Sequence, residues 1–391
     1  MSMATVEWRP TKLDELGFVG RGKSRHRPRN AAILYGGRYP FFQTGDIKAA
    51  NFYLTEYSQT YSEEGLAQSR LWKPGTLCIT IAANIAESAI LGVEGCFPDS
   101  VVGFVPDTSK ADVRFIKYYL EILKLRMQNI SHGSTQDNLS LDKLLSFDFL
   151  VPPLPIQRRI AGILSAYDEL IENSQRRIKI LESMARALYR EWFVHFRFPG
   201  HESVPRVPSP LGEIPKGWEV KRLDQLAEIK GGKQLEKEDI HEVGEFPVFG
   251  GNGIQGYSAK ATHRGFVIAF GRVGAYCGSI HWSYGGAWLN NNSSSVAPLK
   301  HDELVLHHLL DFHFDNLRGG AAQPFISNSS LAGIELVFPG ESIAERFCSI
   351  VRPLRLQQVT VNSQVQNLRR TRDLLLPRLL SGQIDVEAMA S

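Results

Sequence analysis

Cysteine is scarce in this 391-residue chain: Cys78, Cys96, Cys277 and Cys348 stand far apart, with no C-x-x-C pair. That spacing argues against a disulfide framework and a structural zinc site, and it fits a reducing cytoplasm. An excess of one charge is also missing, since 44 Lys and Arg face 41 Asp and Glu. Any nucleic-acid surface must therefore come from local clustering of basic residues. No apolar run approaches the roughly 18 residues needed to cross a bilayer. Met1–Pro10 lacks a basic-then-apolar leader. The expectation is a cytoplasmic protein with no membrane partner. A hydrophobic content of 43% suffices for a sizeable core in two or three domains.

What is present is written twice. Trp8 precedes Leu13-Asp14-Glu15-Leu16 as Trp218 precedes Leu223-Asp224-Gln225-Leu226, and each stretch runs into a Gly-Lys pair, Gly22-Lys23 and Gly232-Lys233. Further on, Gly133-Ser134-Thr135-Gln136 answers Gly320-Ala321-Ala322-Gln323. Leu139 answers Ile326, Pro152 answers Pro339 and Ile156 answers Ile343. A period of about 190 to 210 residues is far longer than any solenoid repeat, so each copy is a globular domain with a helical appendage. Two similar readers on one chain imply a bipartite ligand.

Short apolar runs such as Leu77–Ile81 and Val101–Val105 alternate with turn residues, which predicts strands. A helix is predicted over Val113–Gln128, with its match at Glu303–Phe314. Between Pro155 and Phe193 a ladder runs through Ile156, Ile160, Ile163, Tyr167, Leu170, Ser174, Arg177, Leu181, Met184 and Leu188. Its steps alternate fours and threes, as in a coiled coil. Such a helix would extend roughly 55 Å and needs a partner helix. The second copy supplies one through Ile343, Phe347, Ile350, Leu354, Val361, Val365, Leu368, Leu375 and Leu379, ending at Ser381-Gly382. Pro353 predicts a kink or a break in it. Ser174, Arg177, Gln357 and Gln364 either fix register or face solvent. The expected class is α+β, with two similar globular domains and two long helices in an antiparallel coiled coil. The segments are a first domain (1–153), a long helix (154–197), a Pro-rich semi-rigid linker (198–217), a second domain (218–340), a second long helix (341–383) and a tail (384–391).

Gly17-Phe18-Val19-Gly20-Arg21-Gly22-Lys23-Ser24 fits the phosphate-binding pattern G-x-x-x-x-G-K-[ST]. A working P-loop leaves a buried strand and opens a helix, whereas Arg25-His26-Arg27-Pro28-Arg29 follows here. The second copy keeps Gly232-Lys233 but places Gln234 where the magnesium-binding hydroxyl would stand. Gly251-Asn252-Gly253-Ile254-Gln255-Gly256 matches a dinucleotide fingerprint without its βαβ setting, and reads as a glycine-rich turn. The Asn/Asp-Pro-Pro-aromatic tetrapeptide of adenine methyltransferases is missing, and no acidic residue is well spaced from Glu228-Ile229-Lys230 for a nuclease metal site. The scattered His195, His281, His307, His308 and His313 show no repeated ligand spacing.

The positive signals are polar and repeated. Lys23, Arg25, Arg27 and Arg29 gather cations in one loop, which suits phosphate contacts or a plain solvated surface. Ser134, Thr135, Gln136 and Asn138, and Gln323 in the second copy, bring side-chain amides and hydroxyls able to bond a base edge. Gln43, Thr44 and Asp46 in one copy and Asn252 in the other occupy matching places, and Lys233 and Arg272 complete the second set.

Taken together the chain resembles the specificity subunit of a Type I restriction-modification system, over nearly its full length. Leu150-Val151-Pro152-Pro153-Leu154-Pro155-Ile156-Gln157-Arg158-Arg159-Ile160 resembles the start of that family's central conserved region, and Ala187–Phe193 its end. Leu374–Gly382 resembles the distal conserved helix, and Gln43–Ile47 and Gly133–Ser140 resemble loops of its target recognition domains. The resemblance implies that the two domains read the halves of a split asymmetric sequence in double-stranded DNA while the coiled coil sets the gap. It also implies a non-catalytic chain without cofactor. Two methyltransferase subunits would bring S-adenosylmethionine, and restriction subunits would bring ATP and magnesium. The long helices would dock those partners through Ile160, Ile163, Tyr167, Leu170, Leu181, Leu188, Trp192, Phe347, Leu354, Leu368, Leu375 and Leu379. No metal ligands are assigned. An ATP-dependent DNA enzyme built on Lys23 and a coiled-coil protein adaptor are the competing readings.

Overall fold

The computed structural model describes residues 7–132, 139–319 and 323–387. It divides into two compact units, Met1–Arg176 with Asn362–Ser391, and Arg177–Val361. The first long helix is Leu154–Tyr189, extended by a wider turn over Arg190–Val194, and the second is Glu341–Leu380. Each helix contributes one end to each unit. Among the described residues no helix is long and apolar enough to cross a membrane.

In the first unit a five-stranded sheet runs in the order Gly17–Arg21, Val101–Pro106, Leu77–Thr80, Ser88–Leu91, Tyr53–Leu54. All its pairings are antiparallel except the last. Leu77–Thr80 and Ser88–Leu91 are buried at every position, so they form as continuous apolar runs between turns. The helix Val113–His132 lays Phe115, Ile116, Leu120, Leu123 and Met127 on one side of the sheet. The opening of the first long helix and the close of the second complete that core with Ile156, Ile160, Leu164, Leu379 and Leu380, the two segments running antiparallel. Each fully buried side chain of this kind is worth about 1.5–3 kcal/mol.

The second unit repeats the plan. Its four-stranded sheet has the order Ala227–Gly231, Ser293–Pro298, Val267–Gly271, Ile280–Ser283. The helix Asp302–Asp311 buries Leu304, Val305, Leu306 and Leu309 against it. Here the end of the first long helix and the start of the second pack together through Ala185, Tyr189, Trp192, Phe193, Phe347 and Val351. The strand Arg9–Thr11 pairs with Phe149–Val151 as Glu219–Arg222 pairs with Glu335–Phe338. Even the helix caps repeat: Ser140 Oγ accepts from the Lys143 amide, and Ser327 Oγ from the Ser330 amide.

Three expectations are corrected. Of the kink or break predicted at Pro353, the break is absent: the second long helix continues through it. Its missing N–H costs one bond, and Val351 before it and Arg355 after it are both buried, so the helix stays packed on either side. The stretch read as a semi-rigid linker has structure of its own and packs on the second core. Arg206–Ser209 and Gly212–Pro215 form a hairpin whose Ile214 enters the second core, and Phe196 and Phe198 pack on Trp218. Leu170 and Met184, taken as ladder positions, are about half exposed, while Ile171 and Ala185, one residue later, are buried. Of the polar ladder residues, Arg177, Gln357 and Gln364 face solvent, and Ser174 is half-buried.

Candidate nucleic-acid interface

At one end of each sheet the chain leaves the strands in loops held by the same hydrogen bonds. In the first unit Gly22 N–H donates to Val101 O at 2.9 Å and Lys23 N–H to Phe97 O at 3.1 Å. In the second, Gly232 N–H donates to Ser293 O at 2.9 Å and Lys233 N–H to Leu289 O at 2.8 Å. Ile81 N–H reaches Ser100 O and Leu139 N–H reaches Ile81 O; Arg272 N–H reaches Asn292 O and Ile326 N–H reaches Arg272 O. The parallel bridge Phe41–Cys96 has its counterpart in Val248–Trp288. Gln43–Asp46 and Gly250–Gly253 each begin two residues after these bridged positions.

This frame explains the repeated Gly-Lys pair. A Cβ on Gly22 would stand 2.2 Å from Phe97 O, and one on Gly232 would stand 1.9 Å from Asn290 O. Close approach of backbone demands glycine, not phosphate. Gly17–Arg21 is itself a strand paired with Val101–Pro106, and no α-helix opens at Lys23: the next helical element is the short turn Ala32–Leu34. The amides of Gly22 and Lys23 are engaged by carbonyls, so the segment is no phosphate cradle. Gly251–Gly256 likewise lies on a hairpin, Phe246–Gly250 with Gly253–Ser258, and Asn252 is exposed at its turn.

The cationic loop lies on the surface with its members differently committed. Lys23 and Arg25 are exposed. Arg27 folds back to donate to Ser24 O and His26 O at 2.8 Å, and Arg29 pairs Asp99 at 2.9 Å. The loop rests on residues that sequence reasoning did not flag. Gln68 Oε1 accepts from the Arg25 amide at 2.5 Å and the His26 amide at 3.0 Å, and Ser69 Oγ donates to Lys23 O at 2.8 Å. Beside them Arg70 stacks over Trp72 at 4.0 Å and over half-exposed Phe18 at 4.7 Å. Nothing in the spacing of Gln68 distinguishes it; only the fold brings it under the loop.

Asp46 serves its own helix, Thr44–Ala49: its carboxylate accepts from the Gln43 amide at 2.8 Å in a capping arrangement. That use competes with a role at a base edge, while the Gln43 amide nitrogen donates to Gln59 Oε1 at 2.7 Å. Ser134, Thr135, Gln136 and Asn138 lie outside the described residues. In the second unit Lys233 and Gln323 are exposed, and Arg272 is half-buried with its guanidinium 5.0 Å from the Phe325 ring.

With two equivalent loop surfaces established, comparison with known proteins decides the family. The Type I restriction modification DNA specificity domain matches residues 5–183 and 215–367. The chain belongs to that family. The specificity subunit of the Type I restriction enzyme MjaIX from Methanocaldococcus jannaschii is 24% identical over 412 residues, covering 98% of this chain and 95% of its own. The EcoprrI specificity subunit of Escherichia coli is 24% identical over 360 residues, covering 87% and 85%. The crystal structure of a Type I restriction-modification S subunit from M. genitalium has a TM-score of 0.69 at 17% identity and 97% coverage of both chains, so the fold is shared.

Much of the apolar surface of the long helices is spent on the chain's own core. Ile160, Leu181, Trp192, Phe347 and Leu379 are buried within this chain, so they are not available for docking. Ile163, Tyr167, Leu188, Leu354, Leu368 and Leu375 are half-buried. The outward apolar residues are Leu170, Ile180 and Met184 on the first helix and Ile350, Leu356, Val359 and Leu374 on the second.

The second unit also buries an ionic cluster. Glu303 and Arg355 approach to 3.5 Å, both nearly inaccessible, while His307 donates from Nδ1 to Glu303 O and accepts at Nε2 from Arg355. Burial raises the Glu303 carboxyl above its ordinary range despite Arg355. The same burial lowers His307 to about 3 and His308 to about 4. These histidines are core residues, the outcome expected of histidines without ligand spacing.

Proposed function

We propose that this chain is the DNA-reading subunit of a Type I restriction-modification complex, that each unit reads one half of a split asymmetric sequence, and that the chain itself catalyses nothing and binds no cofactor. The observation that carries the reading is the match of the DNA specificity domain to both copies, each of which presents the same hydrogen-bonded loop frame. Base-edge contacts in the major groove would come from the loops after the sheet strands, and phosphate contacts from Lys23, Arg25 and Lys233. The long helices set the distance between half-sites. Their outward apolar residues, Leu170, Ile180 and Met184 with Ile350, Leu356, Val359 and Leu374, suit two methyltransferase subunits, which supply S-adenosylmethionine. Restriction subunits supply ATP and magnesium, and the assembly works in the cytoplasm. The ATP-dependent reading built on Lys23 is disfavoured by the strand that occupies its motif.

The test is to co-express the chain with its methyltransferase subunits and map methylated positions in host DNA by single-molecule sequencing. A split asymmetric motif with an unread gap, absent on deletion of this chain, is expected. Methylation unchanged by the deletion would remove the specificity role.

A further inference from the structure

We propose that Arg272 reads a guanine in the half-site taken by the second unit, so that the two units use different chemistry at one equivalent position. The proposal rests on the DNA-reading function above. The repeated frame sets the equivalence: the Arg272 amide donates to Asn292 O and its carbonyl accepts from Ile326, as Ile81 does with Ser100 and Leu139. Ile81 is 2% exposed and belongs to the core of the first unit. Arg272 is half-exposed beside Gly231, two residues before exposed Lys233, and its neighbour Val273 bridges Phe325, two residues after exposed Gln323. Its backbone does the structural work, which leaves the side chain free of it.

That side chain is held without being neutralised. The guanidinium lies 5.0 Å from the ring of Phe325, itself 36% exposed. Among the described residues it makes no ion pair, and its Nε is buried with no hydrogen-bond partner. Its Nη1 lies 3.3 Å from where a Cβ on Gly231 would stand, so any side chain there would crowd the guanidinium. The other cations of the two surfaces differ. Arg27 is turned back on its own loop, Arg29 is tied to Asp99, and Lys23, Arg25 and Lys233 are exposed. A stacked fork of unspent donors suits the O6 and N7 acceptors of guanine, a bidentate contact that needs fixed geometry. A phosphate contact needs only charge, and a mobile lysine provides it equally well.

The experiment maps methylated motifs for the wild-type complex and for complexes carrying Arg272→Ala, Arg272→Lys or Arg272→Gln. The expected result is an unchanged first half-site and gap, with one guanine of the second half-site relaxed in all three variants. In duplex binding, discrimination at that base pair should fall by about 10- to 100-fold. A motif intact at every position overturns the proposal. So does a uniform loss of affinity with a shallower salt dependence, the signature of a phosphate contact. If a variant loses methylation altogether, its melting temperature and direct binding to duplexes with each base at that position decide: equal affinities support the proposal, and a retained preference for guanine overturns it. Failure of the wild-type complex to yield any split motif would instead remove the DNA-reading function.

Discussion

Tyr118, on the helix that covers the first sheet, donates its hydroxyl proton to Asp168 of the first long helix at 2.5 Å, and the same carboxylate pairs Arg372 of the second long helix. Burial, and then the Asp168 charge, push the Tyr118 hydroxyl well above the ordinary phenol range. One carboxylate thus joins the sheet-covering helix to both long helices of the first unit. Asp168→Ala leaves a buried hydroxyl without its acceptor and takes one of two carboxylates from the partly buried Arg372 guanidinium, which keeps Asp373 at 2.8 Å; the change should cost about 2–3 kcal/mol. Thermal unfolding should show the loss, with Tyr118→Phe costing about 1 kcal/mol and the double variant less than the sum. Additive effects would mean that the three groups do not act as one cluster.

Acid should weaken the second unit through its buried histidines. His307 and His308 are held neutral, at about 3 and about 4, against an ordinary value near 6.5. Their folded values are depressed, so the unfolded chain binds protons first as pH falls. Their contribution is fully present above about pH 6.5 and declines through the window down to about 4 and then 3, at about 1.4 kcal/mol per pH unit for each. The raised Glu303 carboxyl works the other way above its ordinary range and offsets part of the slope. Unfolding midpoints measured from pH 7 to pH 4.5 should fall. His308→Gln, which keeps a partner for the Tyr189 hydroxyl 2.9 Å away, should flatten the curve. A curve of unchanged slope in that variant would remove His308 as a source.

Gln68 should set DNA affinity without setting the sequence read. Its carbonyl oxygen takes two amides of the cationic loop, and Gln68→Met removes that acceptor while filling similar volume. Looser placement of Lys23 and Arg25 should weaken duplex binding by about 5- to 30-fold, the equivalent of about 1–2 kcal/mol. The methylated motif should stay the same. Affinity indistinguishable from wild type would show that the loop holds its shape without Gln68.

Much of this architecture was legible because it rests on local chemistry repeated twice. Gly22 and Gly232 recur because a carbonyl passes where a Cβ would be, and Ser140 and Ser327 recur because each caps a short helix. The long helices were legible from their apolar steps, but the face was not. A ladder counted at 3.5 residues per turn drifts by about 20° per heptad against a helix of 3.6, which is why Leu170 and Met184 give way to Ile171 and Ala185. The cationic loop could be seen in the sequence as a cluster. Which cation is free could not, because Arg29 finds Asp99 and the loop finds Gln68 only through the fold. The capping of Gln43 by Asp46 is local and could have been read from their spacing.

One heptad inserted after Arg176 and another after Val361, where each long helix passes from one unit to the other, adds the same length to both strands of the coiled coil and keeps its apolar register. Seven residues add about 10 Å, close to three base pairs of duplex at about 3.4 Å each. The added heptad also turns one end relative to the other only slightly, whereas three base pairs rotate the duplex by about 100°, so affinity should fall even as the gap widens. Methylated motifs from the lengthened chain should keep both half-sites and carry a gap wider by about three base pairs. An insertion in one helix alone should unpair the seam and abolish methylation. A gap of the original width in the doubly lengthened chain would show that the DNA or the partner subunits, and not these helices, fix the distance.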